Sequence, residues 1–217
     1  MLPKKYQKFI DIMIGYCDGF DEETGGHNYR LHHQLRVAES VYRICRSGEL
    51  KNVDEKIAVI AGLFHDVGRI HILKNNNSKT LKFERKELDK HRGHLEVSKT
   101  VALDLLKNEF SQAELTKLCD AMTEGDNPSK TPESKILHDA DFIDELGVLN
   151  LFRMFSYSGI INRSMGETVR YWFNIDRAVK LSKMEKCFTK FARKEAKRRI
   201  QLQDKIMHEL ENNGFSS

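Results

Sequence analysis

The stretch Ala58–Arg69, reading Ala-Val-Ile-Ala-Gly-Leu-Phe-His-Asp-Val-Gly-Arg, constrains this chain more than any other. It is an apolar helical run that ends in two adjacent side chains able to bind metal, His65 and Asp66. On a helix of about 3.6 residues per turn, Ile57, Ala61, Phe64 and His65 share one side, which should face a core. An unpaired carboxylate at the end of such a stripe costs several kcal/mol to bury, so Asp66 needs a cation or hydrogen-bond donors. A metal ion is one answer. The other is an arginine or backbone N–H on Asp66, with His65 an ordinary interior histidine. For the dipeptide alone the second is favoured, because short motifs match by chance.

The rest of the chain is also helical in its periods. Apolar residues at helical spacing predict helices over 6–17, 33–46, 55–67, 91–108, 111–123, 133–155 and 165–181. A long charged helix then runs to about Asn212. Asp54 is the expected N-cap of the third helix and Gly68 its expected end. Asp18–Arg30, Gly125–Pro132 and Tyr157-Ser158-Gly159 read as loops and turns. The polar segment 74–90 is an excursion, either a lid or a plain solvated loop. Strand-like alternation is nearly absent, so the fold class is all-α. With 217 residues the chain suits one domain over 1–217, its core about 29–160 and its C-terminal helices 163–212 packed on it.

Composition removes several function classes. A hydrophobic content of 40% with 31% charged residues describes a globular chain, neither disordered nor membrane-embedded. No apolar run reaches the ~20 residues of a spanning helix, and the N-terminus lacks a signal peptide's apolar block. Cys17, Cys45, Cys119 and Cys187 are far apart and read as reduced thiols of a cytoplasmic protein. A net charge of +4 suits an acidic small-molecule substrate and is weak support for nucleic acid. The basic run Arg193-Lys194 and Lys197-Arg198-Arg199 is interleaved with Glu185, Glu195 and Asp204, as on a solvated helix face.

Three helices carry metal-capable residues on or beside apolar stripes. His33 heads His33, Val37, Val41 and Ile44; His65 and Asp66 end the third helix; Asp141 lies on Leu137, Asp141, Asp144 and Val148. Two imidazoles and two carboxylates from separated helices suffice for one divalent ion with positions left for water. The mixed N/O set suits Mn, Co, Ni, Fe or Zn better than Ca, and Mg is compatible. Periodicity does not choose between Asp141 and Asp139, which has Ile143 and Leu146 on its own face.

The order His33 … His65-Asp66 … Asp141 resembles the HD-domain superfamily of metal-dependent phosphohydrolases. His33-Gln34-Leu35-Arg36-Val37-Ala38 resembles the family's first-histidine helix. Ala61-Gly62-Leu63-Phe64-His65-Asp66-Val67-Gly68 resembles its apolar run followed by HD-x-G, and Asp139-Ala140-Asp141 its closing Asp-Ala-Asp. Arg153-Met154-Phe155-Ser156-Tyr157-Ser158-Gly159 and the charged C-terminal helix are similar to a bacterial subgroup of HD hydrolases.

The resemblance implies a helical HD bundle with one divalent metal held by His33, His65, Asp66 and Asp141. The second position of Asp-Ala-Asp selects Asp141, and the spacing to Arg36-Val37 selects His33 over His32. His94 resembles the histidine that opens the family's next helix. A further histidine for a second ion is absent, since that region reads Met122-Thr123-Glu124-Gly125-Asp126. A single-metal site is therefore expected, with Glu124 or Asp126 the less favoured route to a second. Arg69 and Ile70 stand where alarmone hydrolases carry Glu-Asp.

The implied chemistry is a metal-bound hydroxide attacking phosphorus. Asp66, Arg69 and His94 are its catalytic candidates, and Arg36, Arg69 and His94 its phosphate contacts. Arg69 as a helix-end cation and Arg36 as the partner of a core carboxylate are the plain alternatives. The implied substrate is a small nucleotide or other phosphorylated metabolite, and the leading choice is nucleoside-triphosphate pyrophosphohydrolysis. Trp172, Phe173, Tyr157 and Phe83 are either base-stacking groups or core. Two rival classes stand beside this reading: a non-catalytic nucleotide-binding HD regulatory module, and a nucleic-acid phosphodiesterase using the basic helix. With no apolar run of spanning length, no membrane partner is expected, and neither the resemblance nor the residues fix an oligomeric state.

Overall fold

Asp54 opens the central helix as its sequence predicts, its carboxylate accepting from the Ile57 amide at 3.1 Å while its own N–H donates to Glu133 Oε1 at 2.7 Å. In the computed structural model, the described residues are 1–17, 29–75, 93–122 and 131–215, and among them the regular structure is entirely helical. The chain divides into two compact units, Met1–Ala140 and Asp141–Ser217.

The first unit contains α1 (Gln7–Cys17), α2 (Tyr29–Ser47), α3 (Glu55–Phe64), α4 (Val67–Asn75), α5 (His94–Leu106) and α6 (Gln112–Ala121). A further helix, α7 (Pro132–Asp144), begins in it and crosses the division. α3 packs against α1, α2 and α6 and is buried from Ile57 to Phe64, all round rather than along the single stripe expected. Burial of its Ile, Val, Leu and Phe side chains contributes roughly 1.5–3 kcal/mol each before chain entropy is charged against it. A helix this apolar can only be a core helix.

Two glycines set how closely the helices approach. A β-carbon at Gly62 would lie 3.0 Å from Val41 Cγ2 and 3.1 Å from the Ala38 Cα, so its absence lets α2 press against α3. At Gly68 a β-carbon would overlap the His94 carbonyl oxygen and come within 2.5 Å of the Ser98 amide nitrogen. Gly68 therefore does not end a helix, as its sequence suggested. It lies inside α4, where its N–H donates to Ser98 Oγ at 2.8 Å and seats α4 on α5.

The second unit contains α8 (Val148–Ile160), α9 (Met165–Tyr171), a π-helical turn over Trp172–Asp176, α10 (Arg177–Glu185) and α11 (Lys190–Leu210). Ser164 starts α9 through a reciprocal capping box with Glu167. α11 is the long charged helix foreseen, and it buries Ala192, Ala196, Ile200, Gln203 and Met207 at helical spacing. Trp172 is fully buried and donates from Nε1 to Asp204 at 3.0 Å, so it is core and not a base-stacking ring. Phe173 stacks on His208, with ring centroids 4.4 Å apart. Tyr157 is half-buried on α8, and Phe83 lies outside the described residues.

Three further boundaries differ from expectation. α2 starts at Tyr29 rather than His33, because Leu31 is buried and Arg30 is held by a carboxylate described below. The helix expected over 133–155 is broken at Glu145–Gly147, where Gly147 has φ +87°, a conformation that periodicity does not register. The turn expected at Tyr157-Ser158-Gly159 is helical. α8 runs on to Ile160 with Ser158 buried, and Asn162 follows it at φ +56°. The possible lid at 74–90 falls almost wholly outside the described residues.

Candidate metal centre

α3 ends at Phe64, and the two residues of the turn before α4 are His65, still at helical angles, and Asp66. His65 Nδ1 lies 2.9 Å from the Gly62 carbonyl oxygen. A carbonyl only accepts, so Nδ1 carries the proton and Nε2 presents a lone pair. From α2, His33 brings its ring to a centroid distance of 5.3 Å from that of His65, edge-on at 62°. Its Nε2 stands 3.9 Å from Asp66 Oδ2.

One donor atom from each of His33, His65 and Asp66 lies within 4.8 Å of the others, and all three residues are buried. Ligand distances of about 2.0–2.2 Å around one ion place donors about 3–4 Å apart, so the cluster needs only a small contraction. Two imidazoles and a carboxylate are also the donor chemistry of a borderline divalent cation. The residues present fit a metal ion.

Charge around Asp66 is dense. Arg69 Nε donates to Oδ1 at 2.9 Å, Arg30 Nη1 sits 3.6 Å from Oδ2, and His94 Nε2 sits 3.7 Å from Oδ1. Burial pushes the carboxyl group up. His65, Arg69, His33 and Arg30 together outweigh it and hold Asp66 well below the usual carboxylate range. Asp66 is thus kept ionised inside the protein, as a metal ligand must be.

The structure brings together His33, His65, Asp66, Arg69 and His94 from the residues foreseen in the sequence. It adds Arg30, which falls within the loop expected over Asp18–Arg30. The signal was present, since Arg30 lies one helical turn before His33 and shares its face once α2 is extended backwards. Arg36 is half-buried on α2, and His32 is exposed. Asp141 is half-buried near the end of α7 in the second unit, whereas Asp139, in the first, is fully buried beside His138 at 3.5 Å. Val148, placed on the stripe of Asp141, is in fact exposed. Glu124 and Asp126 lie outside the described residues.

The model of one protein family, the HD domain, matches residues 30–146, more than half of the chain. The chain belongs to the HD-domain family. The match begins at Arg30 and takes in His33, His65, Asp66, His94 and Asp141. HD-domain membership gives the general chemistry, that of a metal-dependent phosphohydrolase, and the buried donor cluster provides a place for its divalent ion.

Solved structures share the fold. Bacillus subtilis YpgQ in complex with ADP aligns with a TM-score of 0.63 at 17% identity, covering 98% of this chain and 96% of that one. A predicted HD superfamily hydrolase from an uncultured Thermotogales bacterium aligns at 0.62 and 21%, covering 95% and 91%. An HD-superfamily hydrolase from Bacillus thuringiensis aligns at 0.65 and 19%, covering 96% of each. No curated protein matches the sequence. Among the described residues, no helix is long and apolar enough to cross a membrane.

Proposed function

We propose that this HD-domain protein hydrolyses a small nucleotide in the reducing cytoplasm, best read as a nucleoside triphosphate cleaved to monophosphate and pyrophosphate. The observation that carries the reading is the buried His33–His65–Asp66 cluster with Arg30 and Arg69 against the same carboxylate. His33, His65 and Asp66 would hold one divalent ion of the Mn, Mg, Co, Ni, Fe or Zn group, with Asp141, by its place in Asp-Ala-Asp, as the fourth protein ligand. When bound, such an ion acts as a Lewis acid and lowers the pKa of a coordinated water from about 15.7 toward neutrality.

The protein's own groups do the rest. The Gly62 carbonyl fixes the His65 tautomer, and the turn at 65–66 keeps imidazole and carboxylate side by side. Arg69, which reaches solvent more than Asp66 does, is placed to grip a phosphoryl oxygen and offset negative charge as it builds. His94, at the start of α5, and Arg36 on α2 are the further phosphate contacts in this reading. A nucleotide is favoured because the structurally similar YpgQ was solved with ADP. The cytoplasm is favoured by four free cysteines, among which burial raises the Cys17 thiol to about 11 and that of Cys45 to about 12.

The test is a phosphate and pyrophosphate release screen over nucleoside mono-, di- and triphosphates with Mn, Mg, Co and Ni in turn. Pyrophosphate released from triphosphates, and lost in Asp66→Ala, is the expected result. Turnover that survives Asp66→Ala, or no product from any nucleotide with any metal, overturns the reading.

A further inference from the structure

Asp66 is the one carboxylate of the buried cluster, and its two oxygens are treated differently. Oδ1 accepts from Arg69 Nε on α4 at 2.9 Å. Oδ2 faces Arg30 Nη1 at 3.6 Å and His33 Nε2 at 3.9 Å, both from the start of α2. Arg30 and His33 are three residues apart in the chain, so a single helix face brings a fixed positive charge and a metal donor to one oxygen. The two arginines also differ in their surroundings. The Arg69 side chain is 28% exposed, whereas that of Arg30 is 12% exposed, close to the 10% of Asp66 itself. Water screens the charge of Arg30 correspondingly less.

An arginine that orients a carboxylate donates a hydrogen bond to it, as Arg69 does. The separation of 3.6 Å between Arg30 and Asp66 is too long for one, so Arg30 acts on that carboxylate by charge. A carboxylate that already faces two guanidinium groups attracts a divalent ion less, and the ion and Arg30 repel one another where little water lies between. An oxyanion that accepts from the guanidinium relieves this repulsion, and the planar fork of arginine suits two phosphate oxygens at once. Metal and oxyanion then strengthen one another's binding, each by the same factor.

We propose that Arg30 couples the two events: it opposes a metal ion alone in the His33–His65–Asp66 cluster and favours a metal ion together with a phosphoryl group. This rests on the reading of those three residues as ligands of one ion. Its consequence is that the centre fills with metal and phosphorylated substrate together, and holds metal weakly without substrate. An arginine that merely orients Asp66 has the opposite sign, because removing an outer partner of a metal ligand typically weakens binding about 10–100-fold.

The experiment is a Mn²⁺ titration of the full chain at fixed pH and ionic strength, read by the signal of free Mn²⁺, with either chloride or inorganic phosphate as the anion. A blank subtracts the Mn²⁺ that phosphate binds in buffer, and melting curves confirm folding at the titration temperature. Arg30→Met keeps the stem and removes the charge, Arg30→Gln removes the charge and keeps a donor, and Arg30→Lys keeps a charge. Arg46→Met, on an exposed residue in the last turn of α2, is the control for net charge. In chloride, Arg30→Met and Arg30→Gln should bind Mn²⁺ about tenfold more tightly than wild type. Phosphate should raise the wild-type affinity about tenfold and that of the two neutral variants by no more than about threefold. Arg30→Lys and Arg46→Met should stay near wild type. Neutral variants that bind as wild type or more weakly in chloride, or that keep the full phosphate effect, overturn the proposal. Asp66→Ala separates the two failures. If it keeps wild-type affinity, or if wild type binds no Mn²⁺ with either anion, the ligand assignment falls and the proposal with it. If it abolishes binding while the neutral variants gain nothing, only the role of Arg30 is wrong. Should Arg30→Met not fold, Arg30→Gln decides by the same criterion.

Discussion

Two helix breaks organise this protein, and they are made by different physics. The break at His65–Asp66 is fixed by packing: Gly62 admits α2, Gly68 admits α5, and the surrounding side chains are buried. The break at Glu145–Gly147 is fixed by hydrogen bonds: the Gln203 carboxamide from α11 accepts the Gly147 N–H, and the Arg199 guanidinium from α11 adds a second donor to the Ile143 carbonyl, which already accepts the Leu146 N–H. A packed corner tolerates no added volume, because neighbouring backbone cannot move aside. A hydrogen-bonded corner tolerates adjustment and loses energy in smaller steps, about 0.5–1.5 kcal/mol per bond.

The largest effect is expected at the packed corner. Gly68→Ala drives a methyl group into the backbone of His94 and Ser98, and should cost about 3 kcal/mol or more, with loss of metal binding. Urea unfolding monitored by circular dichroism measures the first, and a Mn²⁺ titration the second. A loss under about 1 kcal/mol would show that α4 and α5 are free to part, and the contrast between the corners would go.

The matching change at the other corner is Gly147→Ala. Space for the methyl exists beside the Arg199 stem, so only the left-handed backbone opposes it. The expected cost is about 1–2 kcal/mol, a melting shift of a few degrees for a chain of this size. A loss as large as that of Gly68→Ala would mean that the corner is packed as tightly as the first.

A smaller effect belongs to Glu195, which orients Arg199. Hydrogen bonds from Arg198, ahead of those from Arg199, outweigh burial and bring its carboxyl down to about 2. With an unfolded value near ~4.3, the ionised group contributes stability at pH 7. That contribution is full above about 4.5 and is lost as pH falls toward 2. Arg198 is largely exposed, so screening limits the contribution to about 1 kcal/mol or less. Glu195→Gln should therefore be slightly less stable at pH 7 and should lose less than wild type between pH 4.5 and 2. Equal acid dependence in the two proteins would mean that Glu195 is not paired with Arg198 and Arg199 in solution.

How much of this was legible in the sequence follows the same division. Packing leaves a periodic trace, so the helices around His33 and His65-Asp66 could be read, and the His33 stripe is buried as its spacing implies. The family motif then gave residues that spacing left ambiguous. The pairing of Arg30 leaves no trace in the sequence, because its partner Asp66 lies far along the chain. Gly68 reads as a helix end because a glycine that stops a helix and one that admits a neighbour look alike in one dimension. The break at Gly147 and the roles of Arg199 and Gln203 were invisible for the same reason. Each depends on a partner more than fifty residues away, and on charged or polar side chains that most often only face water.

The central claim is that His33, His65 and Asp66 bind one divalent ion. Its most direct test is a Mn²⁺ titration of the metal-stripped wild-type chain, with His33→Ala and Asp66→Ala in parallel, each checked for folding by circular dichroism. The account predicts saturable binding of one equivalent to wild type and its loss in both folded variants. Unchanged binding in either variant, or no specific binding by wild type, would contradict it.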